Sequence, residues 1–317
     1  MSALVPRKVA HLINKVRNWP ILSSARIPLY AWASLVSQIL IVVTGGVVRL
    51  TGSGLGCPTW PKCTADSLVT VPEMGIHGVI EFANRLLTFV LALIALLTFV
   101  TILALGKKLR TGLFAPALIL GLGIPAQAIL GGFTVLTKLN PWLVGAHFVL
   151  SGFMIVTAAL LVFRALPPKH IVVSQGIYKT ATPISIVGAI AVLIGVLVTG
   201  AGPHSGDAQS VRNGLDLELW QHLHSYPAYI LLLLAIIQLG LLSKRDKAGL
   251  ERSYQLKVSA WLLVTTIAQA IIGIAQARLG VPAGLVALHM LGASVLCALL
   301  TLQWLAIRGK NPGNQNG

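Results

Sequence analysis

Apolar residues dominate eight stretches of the chain, near 28–48, 76–105, 113–136, 142–165, 183–201, 219–242, 258–277 and 285–306. Each is close to the roughly 20 residues that a helix needs to cross a bilayer. The segments between them are polar and rich in Gly, Pro, Lys and Arg. This alternation predicts an all-α polytopic membrane protein with eight transmembrane helices. Short connections between successive runs predict antiparallel neighbours.

The runs repeat. Ala126-Gln-Ala-Ile-Leu-Gly131 in the third matches Ala268-Gln-Ala-Ile-Ile-Gly273 in the seventh, and the same offset of 142 carries His147 onto His289. Thr44-Gly45 and Thr199-Gly200 lie near the outer ends of the first and fifth runs, and Glu81-Phe-Ala-Asn84 aligns with Gln221-His-Leu-His224. Four spans restore the starting orientation, so the repeat predicts two pseudo-symmetric four-helix bundles. The expected organisation is a basic N-terminus over 1–27, a first half over 28–165, a linker over 166–182, a second half over 183–306 and a tail over 307–317.

Composition agrees. The chain of 317 residues is 56% hydrophobic and 10% charged, with mean hydropathy +0.84. A soluble domain would carry about a quarter of its residues as charges. The net charge of +16 would suggest nucleic acid in a soluble protein; here the basic residues lie between apolar runs, where they set topology instead. Eighteen Lys and Arg fall on the side of the termini and five on the other, with Arg85 inside a span. Both termini are therefore expected in the cytoplasm, with multi-pass insertion in the cell membrane and the 49–75 and 202–218 loops outside. Three cysteines exclude a disulfide scaffold. The first 26 residues lack the short apolar core of a cleavable signal peptide.

Four histidines change the picture from scaffold to site. His77, His147, His224 and His289 each fall a turn or two inside the outward end of a run. Histidines are scarce in spans and normally face the bundle interior. Several at one depth, two of them repeat-related, point to axial ligation of haem from facing helices. The second half offers the cleaner pair, His224 with His289. His222 competes with His224 but lies on a different face, and the repeat selects His224. In the first half His147 is present, but the position equivalent to His224 is Asn84. His77, about two turns outward on the same face, is the candidate substitute; otherwise the iron lacks a strong second ligand. Zinc fits less well, since no cysteine or carboxylate clusters with the histidines.

Glu81 is the one acidic residue inside an apolar run, and ionisable groups at membrane depth are costly enough to suggest function. It shares a helical face with His77 and Asn84. Its counterpart is Gln221, so the carboxylate belongs to one half only. An ion pair with Arg85 is the structural alternative. Cys57 and Cys63 lie in the first outward loop, near enough for a disulfide in an oxidising compartment, either as a staple or as a redox pair. Cys297, in the last run, reads as packing. Arg49, Arg85, Arg212 and Arg278 could each pair haem propionates, Arg85 foremost because it lies within a span.

These residues resemble the haem A synthase family over nearly the whole chain. The resemblance rests on Thr44-Gly-Gly-Val-Val-Arg-Leu-Thr-Gly-Ser-Gly-Leu-Gly-Cys-Pro58 with Trp60-Pro61 and Cys63, on Ile80-Glu-Phe-Ala-Asn-Arg85, and on Gly202-Pro-His-Ser-Gly-Asp207. It implies an eight-helix enzyme that oxidises the C8 methyl of haem O to the formyl group of haem A by successive hydroxylations and loss of water. It implies haem b between His224 and His289, and the substrate haem in the first half beside Glu81. His147 and, in second place, His77 are then the candidate ligands there, with Asn84 and Arg85 lining the site and Cys57 and Cys63 as the loop pair. Many members carry histidine where this chain has Asn84; asparagine resembles the actinobacterial type. Candidate partners are membrane lipid, haem O synthase and terminal-oxidase assembly factors, with no nucleic acid. A non-catalytic dihaem cytochrome would also explain the histidines, though not Glu81, which only one half carries. A transporter would need charged residues near the midplane, and here they crowd one end.

Overall fold

A computed structural model describes residues 20–105, 111–166, 174–243 and 253–308. Most of the expected N-terminal segment, the middle of the linker and nearly all of the tail lie outside these residues. Among the described residues all regular structure is helical. The eight long helices are α1 (Ile27–Leu50), α2 (Gly75–Ala104), α3 (Phe114–Leu136), α4 (Pro141–Ala165), α5 (Gln175–Ala201), α6 (Leu217–Ser243), α7 (Ser253–Arg278) and α8 (Ala283–Arg308). All eight contain a stretch long and apolar enough to span a membrane, so the chain is a multi-pass membrane protein. Large apolar side chains such as Phe89, Leu122, Trp261 and Ile271 point away from the bundle, as lipid-facing positions require.

Helix ends follow local chemistry. Pro28 stands in the first turn of α1, and Pro141 opens α4 behind an Asn140 cap whose side chain accepts from the Trp142 amide at 3.0 Å. Both prolines sit where the missing N–H is no loss. Two helices start earlier than the apolar pattern predicts: α5 at Gln175 rather than 183, and α7 at Ser253 rather than 258. Pro183 disfavours a helix interior and marked an apparent start, but α5 passes through it. Tyr178, Lys179, Tyr254 and Lys257 extend those ends with long side chains that can reach the interface while their helices continue.

Each half closes on itself. In the first, α1 packs on α2, α2 on α3, α3 on α4 and α4 on α1; in the second, α5 packs on α6, α6 on α7, α7 on α8 and α8 on α5. The halves meet where α8 packs on α1 and α4, and where α4 packs on α5. The buried core is not spread evenly along the helices. In the first half it comprises Ile27 to Val42, Leu91 to Ile102, Leu113 to Ile124 and Met154 to Val162. In the second it comprises Ile177, Ala181 and Ile184 with Leu231, Leu242, Leu262, Leu296, Leu300 and Ile307. Apart from Val42, these lie at mid-span or toward the end of the bundle where α1 starts and α8 finishes, with Val48, Val135 and Leu139 buried nearer the other end. That other end, closed by the 51–71, 137–140, 202–216 and 279–282 connections, is called the loop end below.

The α3–α4 and α7–α8 connections are the same turn at the same offset of 142. Lys138 and Leu139 have φ of 53° and 60°, and Gly280 and Val281 have φ of 73° and 59°. The Leu139 amide donates to Thr134 O at 2.7 Å and the Val281 amide to Gln276 O at 2.8 Å. The repeat read from Ala126-Gln-Ala thus continues into backbone geometry.

Candidate functional site

Four positions at the loop end share one construction. Asn84, His147, His224 and His289 stand on α2, α4, α6 and α8, the helices that start at this end. Each lies seven residues before a buried core residue of its own helix, namely Leu91, Met154, Leu231 and Leu296. Seven residues are two turns, so each extends its helix's buried stripe toward the loop end.

Each of the four also faces a glycine on the preceding helix. A β-carbon at Gly131 would stand 3.3 Å from His147 Cε1, at Gly195 3.0 Å from His224 Cε1, and at Gly273 3.5 Å from His289 Cε1. At Gly45 it would stand 4.0 Å from Asn84 Nδ2. The glycines give the side chains opposite them room to approach the helix. Gly131 and Gly273 close the repeated Ala-Gln-Ala stretches, which explains why that motif and the histidine travel together. On α3 the glutamine of the motif donates to the His147 carbonyl at 3.3 Å and to Ser151 Oγ at 2.8 Å.

In the second half the two imidazoles face each other, ring centres 6.2 Å apart and planes at 75°. Two imidazoles bound to one metal from opposite sides, at about 2.0 Å each, hold their ring centres roughly 6.4 Å apart. The spacing fits a metal between the rings. Among the described residues no group of three or more His, Cys, Asp or Glu could hold a metal; a metal between these rings would take its remaining ligands from a group such as a porphyrin. The Nδ1 atoms of His147, His224 and His289 are buried without a hydrogen-bond partner, a state that in folded proteins calls for a reason. The residues present fit haem.

The first half differs. His147 has its glycine seat, but across the bundle stands Asn84, whose Oδ1 accepts from Thr44 Oγ1 at 2.8 Å. His77 is exposed at the start of α2, its Nδ1 2.8 Å from Ser53 Oγ. His222 is exposed as well.

Glu81 is buried and fully engaged. Oε2 accepts from the Cys57 amide at 2.7 Å, and Oε1 accepts from Arg85 Nε at 3.1 Å and Nη2 at 2.5 Å. Arg85 also donates to the carbonyls of Cys57, Thr59 and Lys62. The ion pair expected as an alternative is present, and it grips the loop. That loop is closed by a Cys57–Cys63 disulfide with both cysteines buried. The Trp60 ring lies over Gly132 of α3 and leaves no room for a β-carbon there. The loop is therefore a cap laid across the first half, with Glu81 and Arg85 as its clasp.

Two of the other candidate arginines, Arg49 and Arg212, bind backbone. Arg49 of α1 donates through Nε to His204 O at 2.5 Å and through Nη2 to Thr199 O at 2.7 Å, both in the second half. Arg212 donates to Pro203 O. The Gly54 amide donates to Gly206 O at 2.8 Å, and the Leu139 side chain fills the space beside both glycines. His204 Nε2 bonds Val281 O at 2.8 Å. These contacts tie the caps of the two halves together. Cys297 is a free thiol, partly buried, on the core side of α8.

Comparison with known proteins covers the same ground. A family model described as cytochrome oxidase assembly protein, COX15-CtaA, matches residues 28–74 and 68–302. A Shewanella oneidensis protein named haem A synthase is 28% identical over 200 residues, which are 58% of this chain and 58% of that protein. The chain thus spans somewhat over half the length of that relative. A Listeria monocytogenes haem A synthase is 26% identical over 301 residues, covering 88% of this chain and 94% of its own. A Thermus thermophilus protohaem IX farnesyltransferase is 37% identical over 62 residues, 19% of this chain and 10% of that protein.

Proposed function

The chain belongs to the COX15-CtaA family of cytochrome oxidase assembly proteins, and from that premise we propose that it is a haem A synthase. It would oxidise the C8 methyl of haem O to a formyl group. The observation that carries the reading is the His224–His289 pair, spaced for one iron and, among the described residues, not part of any group of three or more metal-ligating side chains. That pair is assigned haem b, which supplies one-electron redox chemistry when bound.

The first half is assigned the substrate. His147 holds the substrate haem, and Glu81 is the catalytic carboxylate. Its neighbours support that role: the Cys57 amide and Arg85 fix both oxygens, so the group is oriented before substrate arrives. Arg85, occupied by loop carbonyls, positions Glu81 and the cap. The disulfide loop keeps bulk water from the bundle mouth. An apolar bundle in lipid also suits a substrate with an isoprenoid tail, which can enter sideways. The names of the relatives favour synthesis over a non-catalytic dihaem cytochrome.

The uneven Lys and Arg distribution supports cytoplasmic termini and a site near the outer surface of the cell membrane. The Thermus match supports a farnesyltransferase acting on protohaem as the partner that precedes this step. The test is expression beside a haem O synthase in a host lacking its own haem A synthase, with extracted haems separated chromatographically. Haem A in the extract is expected. Haem O and haem b alone would remove the function.

A further inference from the structure

Asn84 occupies a histidine's seat. It stands on the same stripe as His147, His224 and His289, two turns before the buried Leu91, and it faces a glycine of the preceding helix as they do. The internal repeat places it opposite His147, as His224 stands opposite His289. An asparagine amide is a poor ligand for haem iron but a good hydrogen-bond donor. Of the three acceptors within reach of the Thr44 hydroxyl, Asn84 Oδ1 at 2.8 Å is closer than the Leu40 and Ile41 carbonyls at 3.1 and 3.2 Å; donation to it fixes the amide plane, and among the described residues no group accepts from Asn84 Nδ2. The NH2 group is therefore presented without a partner of its own.

His77 is poorly placed to substitute. It lies seven residues toward the loop end from Asn84, about 10 Å along the axis, and its ring is exposed and engaged by Ser53. We infer that the first half holds its haem through one protein ligand, His147, and that Asn84 stands over the other face of the iron as a hydrogen-bond donor to a small exogenous ligand. This rests on the assignment of the substrate haem to the first half. The two halves then differ in coordination: one iron with two histidines and closed, one with a single histidine and open. Thr44 is a positioning residue for the open face.

Carbon monoxide is the probe. The purified full chain is loaded with excess haem b, freed of unbound haem, reduced, and exposed to carbon monoxide. One of two bound haems should form the carbon monoxide complex, and the ferric protein should show one high-spin and one low-spin signal. Asn84→His should abolish the complex and convert the high-spin signal to low-spin. His77→Ala should change neither. A wild-type protein that binds only one haem, or two low-spin haems that both refuse carbon monoxide, overturns the inference. So does carbon monoxide binding that appears only in His77→Ala. If Asn84→His does not fold, the wild-type and His77→Ala spectra decide alone. Haem A formation is read separately: synthesis of haem A with two closed irons would sink this inference and spare the function, and an open iron without haem A formation would do the reverse.

Discussion

Leu139 and Val281, 142 positions apart, hold the same left-handed backbone, φ 60° and 59°, in the same turn. Neither residue type favours it; left-handed backbone costs an L-residue about 1–2 kcal/mol. Their surroundings differ. Leu139 is buried, wedged beside Gly54 and Gly206, whereas Val281 is half-buried and offers its carbonyl to His204. Glycine at 281 relieves the strain against about 0.5–1 kcal/mol of added chain entropy. Val281→Gly should leave the apparent Tm in detergent unchanged or raise it slightly. Leu139→Gly also loses a buried side chain, at about 2–5 kcal/mol, and should lower it clearly. Equal falls for both would contradict the wedge.

Glu81→Gln keeps an oxygen for the Cys57 amide or for Arg85 but loses the charge. Haem A yield should fall by about 10²-fold or more, on the scale of a lost acid–base group, while bound haem b stays at the wild-type amount. Unchanged yield would leave Glu81 as a clasp only.

Arg85→Ala releases three loop carbonyls and one side of Glu81. The cap should loosen, so Cys57–Cys63 should be reduced faster by an external dithiol than in the wild type. Reduction at the wild-type rate would mean that packing, chiefly Trp60 over Gly132, holds the loop without the clasp.

The two seats of the second half differ in tolerance. A β-carbon at Gly195 comes within 3.0 Å of His224 and one at Gly273 within 3.5 Å of His289. Gly195→Ala should therefore shift or weaken the low-spin absorption of bound haem b, and Gly273→Ala should leave it near wild type. The reverse order would show that the rings do not rest on these glycines.

Arg49→Ala removes two charge-assisted bonds between the halves. At about 1.5–3 kcal/mol for such a bond, the apparent Tm should drop, with Arg49→Lys recovering part of the loss. A Tm indistinguishable from wild type would mean that α8 against α1 and α4 holds the halves without help.

Much of this was legible in the chain. Eight apolar runs place eight helices, and the offset shared by Ala126-Gln-Ala and His147 extends, unseen in the residues themselves, to the turn at Leu139 and Val281. Helix starts failed at Pro183, where an apolar pattern ends but the backbone hydrogen bonds do not. As the arginine inside a span, Arg85 is the first candidate for propionates in the sequence; its loop folds back over it and claims its donors, a fact that depends on tertiary closure. Thr44 was visible as a repeat marker, but its bond to Asn84 needs two helices at their true spacing. The match of Thr44-Gly45 with Thr199-Gly200 sets Gly45 against Gly200, which faces Asn213, whereas the seat equivalent to Gly45 is Gly195, outside every matching stretch.

Each seat lies within one helical hairpin: Gly45 with Asn84 on α1–α2, Gly131 with His147 on α3–α4, Gly195 with His224 on α5–α6, Gly273 with His289 on α7–α8. A hairpin can enter the membrane as soon as the ribosome has delivered it, so every seat can form early and from local sequence. His224 and His289 belong to different hairpins. The order of assembly follows: each seat can form within its own hairpin, but His224 and His289 are brought together only once the α5–α6 and α7–α8 hairpins have both entered the membrane.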